Sequence, residues 1–317
     1  MRPLRWIGAA LAAIVACAVT VQIARSVSGG PPVPASCPQR WDGEGIGGWV
    51  PAAAGIDGAD EVLVPGSPVQ ALICAYPGDN GHPGGERLAG TRTLTDQAGV
   101  MARDLAYLPV TDSPRGGPCT LIGGPMTNYL IRFAYPDGRA LWVGSAEEVN
   151  SCVTTTNGTV GTRSYVGPGV TAAYRTGVWK PVRPDDPCRD FAGRRDQDER
   201  MVPEGAVSVV VCGRITGSGR PPRREHGGQA ARGLAAALNS LDTRPSDNMC
   251  QGGEGTDDRE FRLMFGYPDG PPADVSISMG CVPGVDNGLL QADLDGSVRD
   301  QVIRLAPPPA GDQEGSG

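Results

Sequence analysis

Lysine is almost missing from this chain: Lys180 is the only one, and arginine carries the rest of the positive charge. Acidic residues outnumber basic ones by 35 to 28, and the net charge of −7 leaves no basic footprint for nucleic acid. Histidine is nearly as scarce. With only His82 and His226 present, a histidine-built metal site or a histidine-dependent triad is all but excluded. No Gly-x-Ser-x-Gly elbow, phosphate loop or dinucleotide fingerprint occurs, so no cofactor and no enzymatic activity are expected. Aromatic residues make up 5% of the chain, and Tyr135, Tyr267, Trp142 and Trp179 are expected in cores.

Glycine and proline are abundant instead, at 47 and 30 residues, which points to loop-rich domains. A hydrophobic fraction of 39% still supplies cores. The nine cysteines are too many for a reducing compartment. Eight of them follow residue 36, an even number suited to a disulfide framework.

One motif is written twice. Tyr129-Leu130-Ile131-Arg132-Phe133-Ala134-Tyr135-Pro136-Asp137-Gly138 returns as Phe261-Arg262-Leu263-Met264-Phe265-Gly266-Tyr267-Pro268-Asp269-Gly270. Apolar residues at alternate positions predict a strand, and Pro-Asp-Gly predicts a hairpin turn. Other features double with it. Strands ending in Cys74 and Cys212 each run into a Gly-rich loop. A helix follows: Ala98, Met101, Leu105 and Leu108 share one face after a Thr93–Asp96 capping box, and Ala230, Leu234, Ala237, Leu238 and Leu241 share the other. Then come Cys119 or Cys250, the hairpin, return strands at Leu141–Val143 or Val275–Ile277, Cys152 or Cys281, and an Asn157-Gly158 or Asn287-Gly288 turn.

The fold class expected is therefore α+β: two tandem repeats, each an antiparallel sheet with one helix packed on it. The first repeat spans 37–180 and the second 188–306, joined by a linker at 181–187. Matching positions favour bridges within each repeat: Cys37–Cys74, Cys119–Cys152, Cys188–Cys212 and Cys250–Cys281.

Residues 1–36 comprise a short stub, an apolar run from Trp6 to Ala24 and a Pro/Gly stalk. The run is long enough to span a bilayer, and Arg2 and Arg5 before it favour an exported remainder. A signal anchor is the first reading. A lipoprotein signal with lipidation at Cys17, in Ile14-Val15-Ala16-Cys17, and a cleaved secretory signal are the alternatives. Residues 307–317 are expected to be a disordered tail.

Between Val69 and Gly158 the order of landmarks resembles the subtilisin-inhibitor-like family of secreted actinobacterial protease inhibitors. The residues that carry it are Cys74-Ala75-Tyr76-Pro77-Gly78, His82-Pro83, a helix, Cys119, the hairpin and Cys152. The resemblance implies that Thr120–Pro125 is a protease-binding loop, with Leu121 in the specificity position, Ile122 after it and Cys119–Cys152 bracing it. The family's cysteine partner shortly after the Cys74 region has no counterpart here, and Gly123-Gly124 would loosen the loop.

Other polar residues read as surface. His82 lies in an exposed turn, and Arg220–His226 in a solvated basic loop. Asp60-Glu61 and Asp196, Asp198 and Glu199 are solvated acids, and Asp293–Gly296 is an Asp-Gly turn. The function expected is a membrane-tethered, extracytoplasmic, non-catalytic binding module of the cell envelope with a protein partner. The alternative is a serine protease inhibitor of the subtilisin-inhibitor-like type.

Overall fold

Both copies of the doubled motif fold as β-hairpins in the computed structural model, which describes residues 36–41, 50–51, 53, 55–112, 122–180, 186–189, 193–213, 221–252 and 257–308. In the first half β3 (Pro125–Ala134) pairs with β4 (Ala140–Glu148), and Gly138 closes the tip at φ +84°. In the second half β11 (Glu260–Gly266) pairs with β12 (Ala273–Ser278), with Gly270 at φ +77°. Glycine reaches that left-handed region without the steric cost a Cβ would bring.

Each hairpin is the middle of a larger antiparallel sheet. β1 (Gln70–Asp79), β2 (Gly90–Leu94), β5 (Thr155–Thr156) and β6 (Gly161–Thr162) complete the first, in the order β2-β1-β3-β4-β5-β6. The second adds β7 (Ser208–Gly213), β8 (Arg223–Gly227), β9 (Thr243–Pro245), β14 (Val285–Asp286) and β15 (Leu290–Ala292), in the order β8-β7-β11-β12-β14-β15-β9. A separate ribbon joins β10 (Gln251–Gly252) to β13 (Cys281–Val282). The architecture is α+β, as the sequence indicates.

Two helices, not one, cover a face of each sheet. α1 (Ala98–Ala106) and α2 (Gly167–Thr176) pack on the first, and α3 (Gly228–Asn239) and α4 (Gly296–Leu305) on the second. The predicted apolar face of α1 is realised, since Ala98, Met101, Leu105 and Leu108 are fully buried. Each large side chain so buried contributes about 1.5–3 kcal/mol. In α3 the buried stripe is Ala231, Leu234 and Leu238, with Ala230, Ala237 and Leu241 at its margins.

Three local readings are corrected. Thr93 and Leu94 belong to β2, so the expected capping box does not form, and α1 starts after Gln97 without a side-chain cap. Asp293–Gly296 is no turn: Asp295 caps α4, its Oδ1 accepting from Val298 N at 2.7 Å. Residues 223–226 of the supposed basic loop form edge strand β8, where Arg224 and His226 stand opposite Val211 and Val209.

Matching hydrogen bonds hold both halves. Tyr135 Oη donates to Pro65 O and Tyr267 Oη to Pro203 O, both at 2.8 Å. Buried Asn157 donates to Ala59 O at 2.8 Å, and Asn287 to Gln197 O at 2.8 Å. Each asparagine also accepts two backbone amides of its own turn. Thus one side chain both shapes the hairpin and pins a distant loop. The expected bridges Cys37–Cys74, Cys188–Cys212 and Cys250–Cys281 are present. Cys119 lies outside the described residues, as do Cys17, Leu121, the leading apolar run, the stalk up to residue 35, and residues 309–317 of the tail. Among the described residues no helix is long and apolar enough to cross a membrane.

The residues from Ala35 onward pack as one compact unit. Within it, the hairpin tip of the second half docks against the end of α1. Asp104, 3% exposed, accepts from Gly270 N at 2.8 Å and from Trp179 Nε1 at 2.9 Å. Arg194 is clasped between the rings of Tyr107 and Tyr267, 4.0 and 3.8 Å from their centroids. Its Nη1 donates to Asp269 O and Pro271 O. Gly270 must lack a side chain, because a Cβ there would meet Tyr107 Cβ at 2.6 Å.

Candidate functional site

β1 and β3 end together, Asp79 opposite Pro125, and β4 brings Glu148 opposite Met126. Three polar side chains thereby gather around the segment that enters β3. Asn80 Oδ1 accepts from Gly124 N at 2.8 Å, and its Nδ2 donates to Ile122 O at 3.0 Å. From the other side Asn150 Nδ2 donates to Ile122 O at 3.0 Å, while Ile122 N donates to Asn150 Oδ1 at 3.1 Å. The backbone of Ile122 is gripped at both its amide and its carbonyl. Its side chain remains 58% exposed.

Glu148 anchors the grip from beneath. Buried at 7% exposure, it accepts from Asn150 N at 2.7 Å, Asn80 Nδ2 at 3.2 Å and Cys152 N at 2.8 Å. Burial by itself raises the carboxyl pKa, but the amides of Cys152 and Asn150 and the two asparagine side chains outweigh it and hold it below the ordinary 4.5. With the folded value depressed, the stabilisation is complete above 4.5 and is lost as pH falls through the lower folded value. An acid titration followed at the Ile122 and Cys152 amide resonances should therefore show its step below 4.5. A step at or above that value would contradict the assignment.

The sequence points to Ile122 but misses Asn80, Glu148 and Asn150, whose partners are distant in the chain. For one of the two glycines the structure shows another role. A Cβ on Gly124 would lie 2.6 Å from Val149 Cγ1, so that glycine permits close packing, and its amide is bonded. Gly123 has no neighbour within 4 Å of a Cβ position. The other residue in the expected contact pair, Leu121, and its brace Cys119 fall outside the described residues.

Four of the five acids read as separate surface groups are brought together. Glu61, Asp196, Asp198 and Glu199 share a cleft of about 840 Å³ with Arg163, Arg194 and Arg195, while Asp60 stays outside it. Charges of both signs line it, and Arg195 Nε lies 3.4 Å from Asp196 Oδ1. His82 is exposed, as expected, whereas His226 Nε2 lies 2.7 Å from Leu305 O at the end of α4 and so serves the fold. Among the described residues no cluster of His, Cys, Asp and Glu is arranged to hold a metal. Compared with protein-family models, curated proteins and solved structures, the chain matches none.

Proposed function

We propose that the chain is a non-catalytic binding protein working outside the cytoplasm, built by duplication of one α+β unit and tethered through its leading apolar run. Its contact with a protein partner is the edge centred on Ile122. What supports the location is the set of disulfides, which persist in oxidising compartments. What supports duplication is the common strand order and the paired tyrosine and asparagine bonds.

The observation that carries the binding role is the amide grip. An exposed apolar residue on a backbone already fixed loses little entropy when a partner covers it. The same grip favours the second reading, a serine protease inhibitor, since a protease-binding loop depends on that rigidity.

Progress curves with subtilisin-like proteases test both. Inhibition at micromolar protein, with Ile122→Asp weaker by about thirtyfold or more and Asn150→Ala intermediate, supports the inhibitor reading. Absence of inhibition removes proteases as the partner. Inhibition unchanged in Ile122→Asp shows that the contact lies elsewhere, and a turnover that survives purification overturns the non-catalytic role.

A further inference from the structure

One face of the second sheet is made differently from its counterpart. Cross-strand partners point to the same side of a sheet, so the registers define rungs. The rung through Cys74 runs Thr91, Cys74, Leu130, Gly144, Thr156, Gly161. The equivalent rung through Cys212 runs Arg223, Cys212, Arg262, Ser276, Asp286, Gln291, Arg244. Small and aliphatic side chains in one are charged and polar in the other.

The two faces are also covered differently. On the first, Leu130 and Trp142 are sealed by Trp41, 1% exposed, which the Cys37–Cys74 bridge helps hold against Tyr76. On the second, a concavity of about 510 Å³ opens over Asp274, Ser276 and Asp286. Its walls include Met249, the Cys250–Cys281 bridge and Pro283.

The polar floor is built, not incidental. Asp274 is 6% exposed and takes three contacts from Arg262: Nε to Oδ1 and Oδ2 at 3.0 Å, and Nη2 to Oδ2 at 2.6 Å. A buried ion pair usually stabilises a fold no better than apolar residues of similar volume, so filling the face does not explain it. Asp286 sits one strand further on, accepting from Ser246 Oγ. Among the described residues lining the concavity there is no lysine or arginine, while carboxylates, hydroxyls and amides recur. The apolar part of the lining is Met249, 63% exposed, with Pro283 and the disulfide.

We propose that this concavity binds an organic cation, an ammonium or guanidinium head on an aliphatic stem. The head meets Asp286 and Ser276, and the stem lies along Met249 and the disulfide. An acceptor-lined floor beside an apolar wall of Met249, Pro283 and the disulfide suits a ligand that donates at one end and is greasy along its length.

Titrating the intact, oxidised chain with N-acetyl-lysine methylamide and following backbone resonances tests it. The expected Kd is about millimolar, the scale for a ligand of this size, with shifts centred on Ser276, Asp286 and Met249. The neutral norleucine analogue is expected to bind about tenfold more weakly or worse. Asp286→Asn keeps an acceptor for its turn but loses the charge, and should show the same loss. Ser276→Arg, from an exposed strand position, should abolish binding by placing a cation in the concavity. Equal binding of the norleucine analogue overturns the proposal. So does an absence of shifts at about 20 mM, twentyfold above the expected Kd, or methyl glucoside shifting these residues while the lysine probe does not. Ile122 takes no part, so either outcome leaves the protein-docking edge to its own test.

Discussion

Replacing Arg194 by leucine is expected to lower the stability of the chain by about 2–5 kcal/mol, the cost of leaving two buried carbonyls without a donor and losing the ring contacts. Arg194 is 5% exposed, and its charge is met by two tyrosine faces and two backbone carbonyls. Burial lowers its pKa, so the site keeps it charged against a desolvation cost. A desolvated cation–π contact contributes about 2 kcal/mol, and a hydrogen bond from a charged donor about 1.5–3 kcal/mol. Leucine fills the space but leaves the carbonyls of Asp269 and Pro271 without their donor. Arg194→Lys should recover only part of the loss, because an ammonium neither stacks between planes nor forks. Urea unfolding followed by fluorescence and by circular dichroism measures both variants. If the joint couples the two halves, the leucine variant should also split one transition into two. A loss under about 1 kcal/mol, within the range of an ordinary surface change, would show that Arg194 is not the keystone of the joint.

The larger effect is expected from reduction. Bridges Cys37–Cys74, Cys188–Cys212 and Cys250–Cys281 close sequence separations of 37, 24 and 31. In the chain-entropy account each contributes about 3.5 kcal/mol, and the three together about 11 kcal/mol. Domains rarely exceed 5–15 kcal/mol in all. Thiol reduction at neutral pH should therefore unfold the chain at ambient temperature, with loss of near-ultraviolet dichroism. Retention of a cooperative thermal transition with all thiols titrating free would show instead that the two apolar cores suffice.

The strands of the hairpins were legible because alternation and Pro-Asp-Gly are local signals, and the α1 face because its spacing is helical. The second helix on each sheet was not. Asp295-Gly296 opens α4 and reads as a turn until the sheet behind it supplies a surface for Val298 and Val302; α2, opened by Gly167-Pro168-Gly169, is likewise held by Val170 and Ala173 on its sheet. At the candidate edge, Ile122 could be named from order along the chain. The grip on it could not, since Asn80 lies 42 residues away and acquires its role only through the pairing of β1 with β3. The charged rung of the second sheet was hidden for the same reason: Arg262, Ser276 and Asp286 become neighbours only once register is known.

The joint between the hairpin tip and α1 is also asymmetric. It needs a carboxylate beside the buried leucine of the receiving helix, and Asp104 beside Leu105 supplies it. On α3 the residue beside buried Leu238 is Ala237, which can accept nothing through its side chain. The residues from Asp269 to Pro271 thus carry the plug and the end of α1 the socket, so the joint reads in one direction: its two sides are built from different groups and cannot be exchanged.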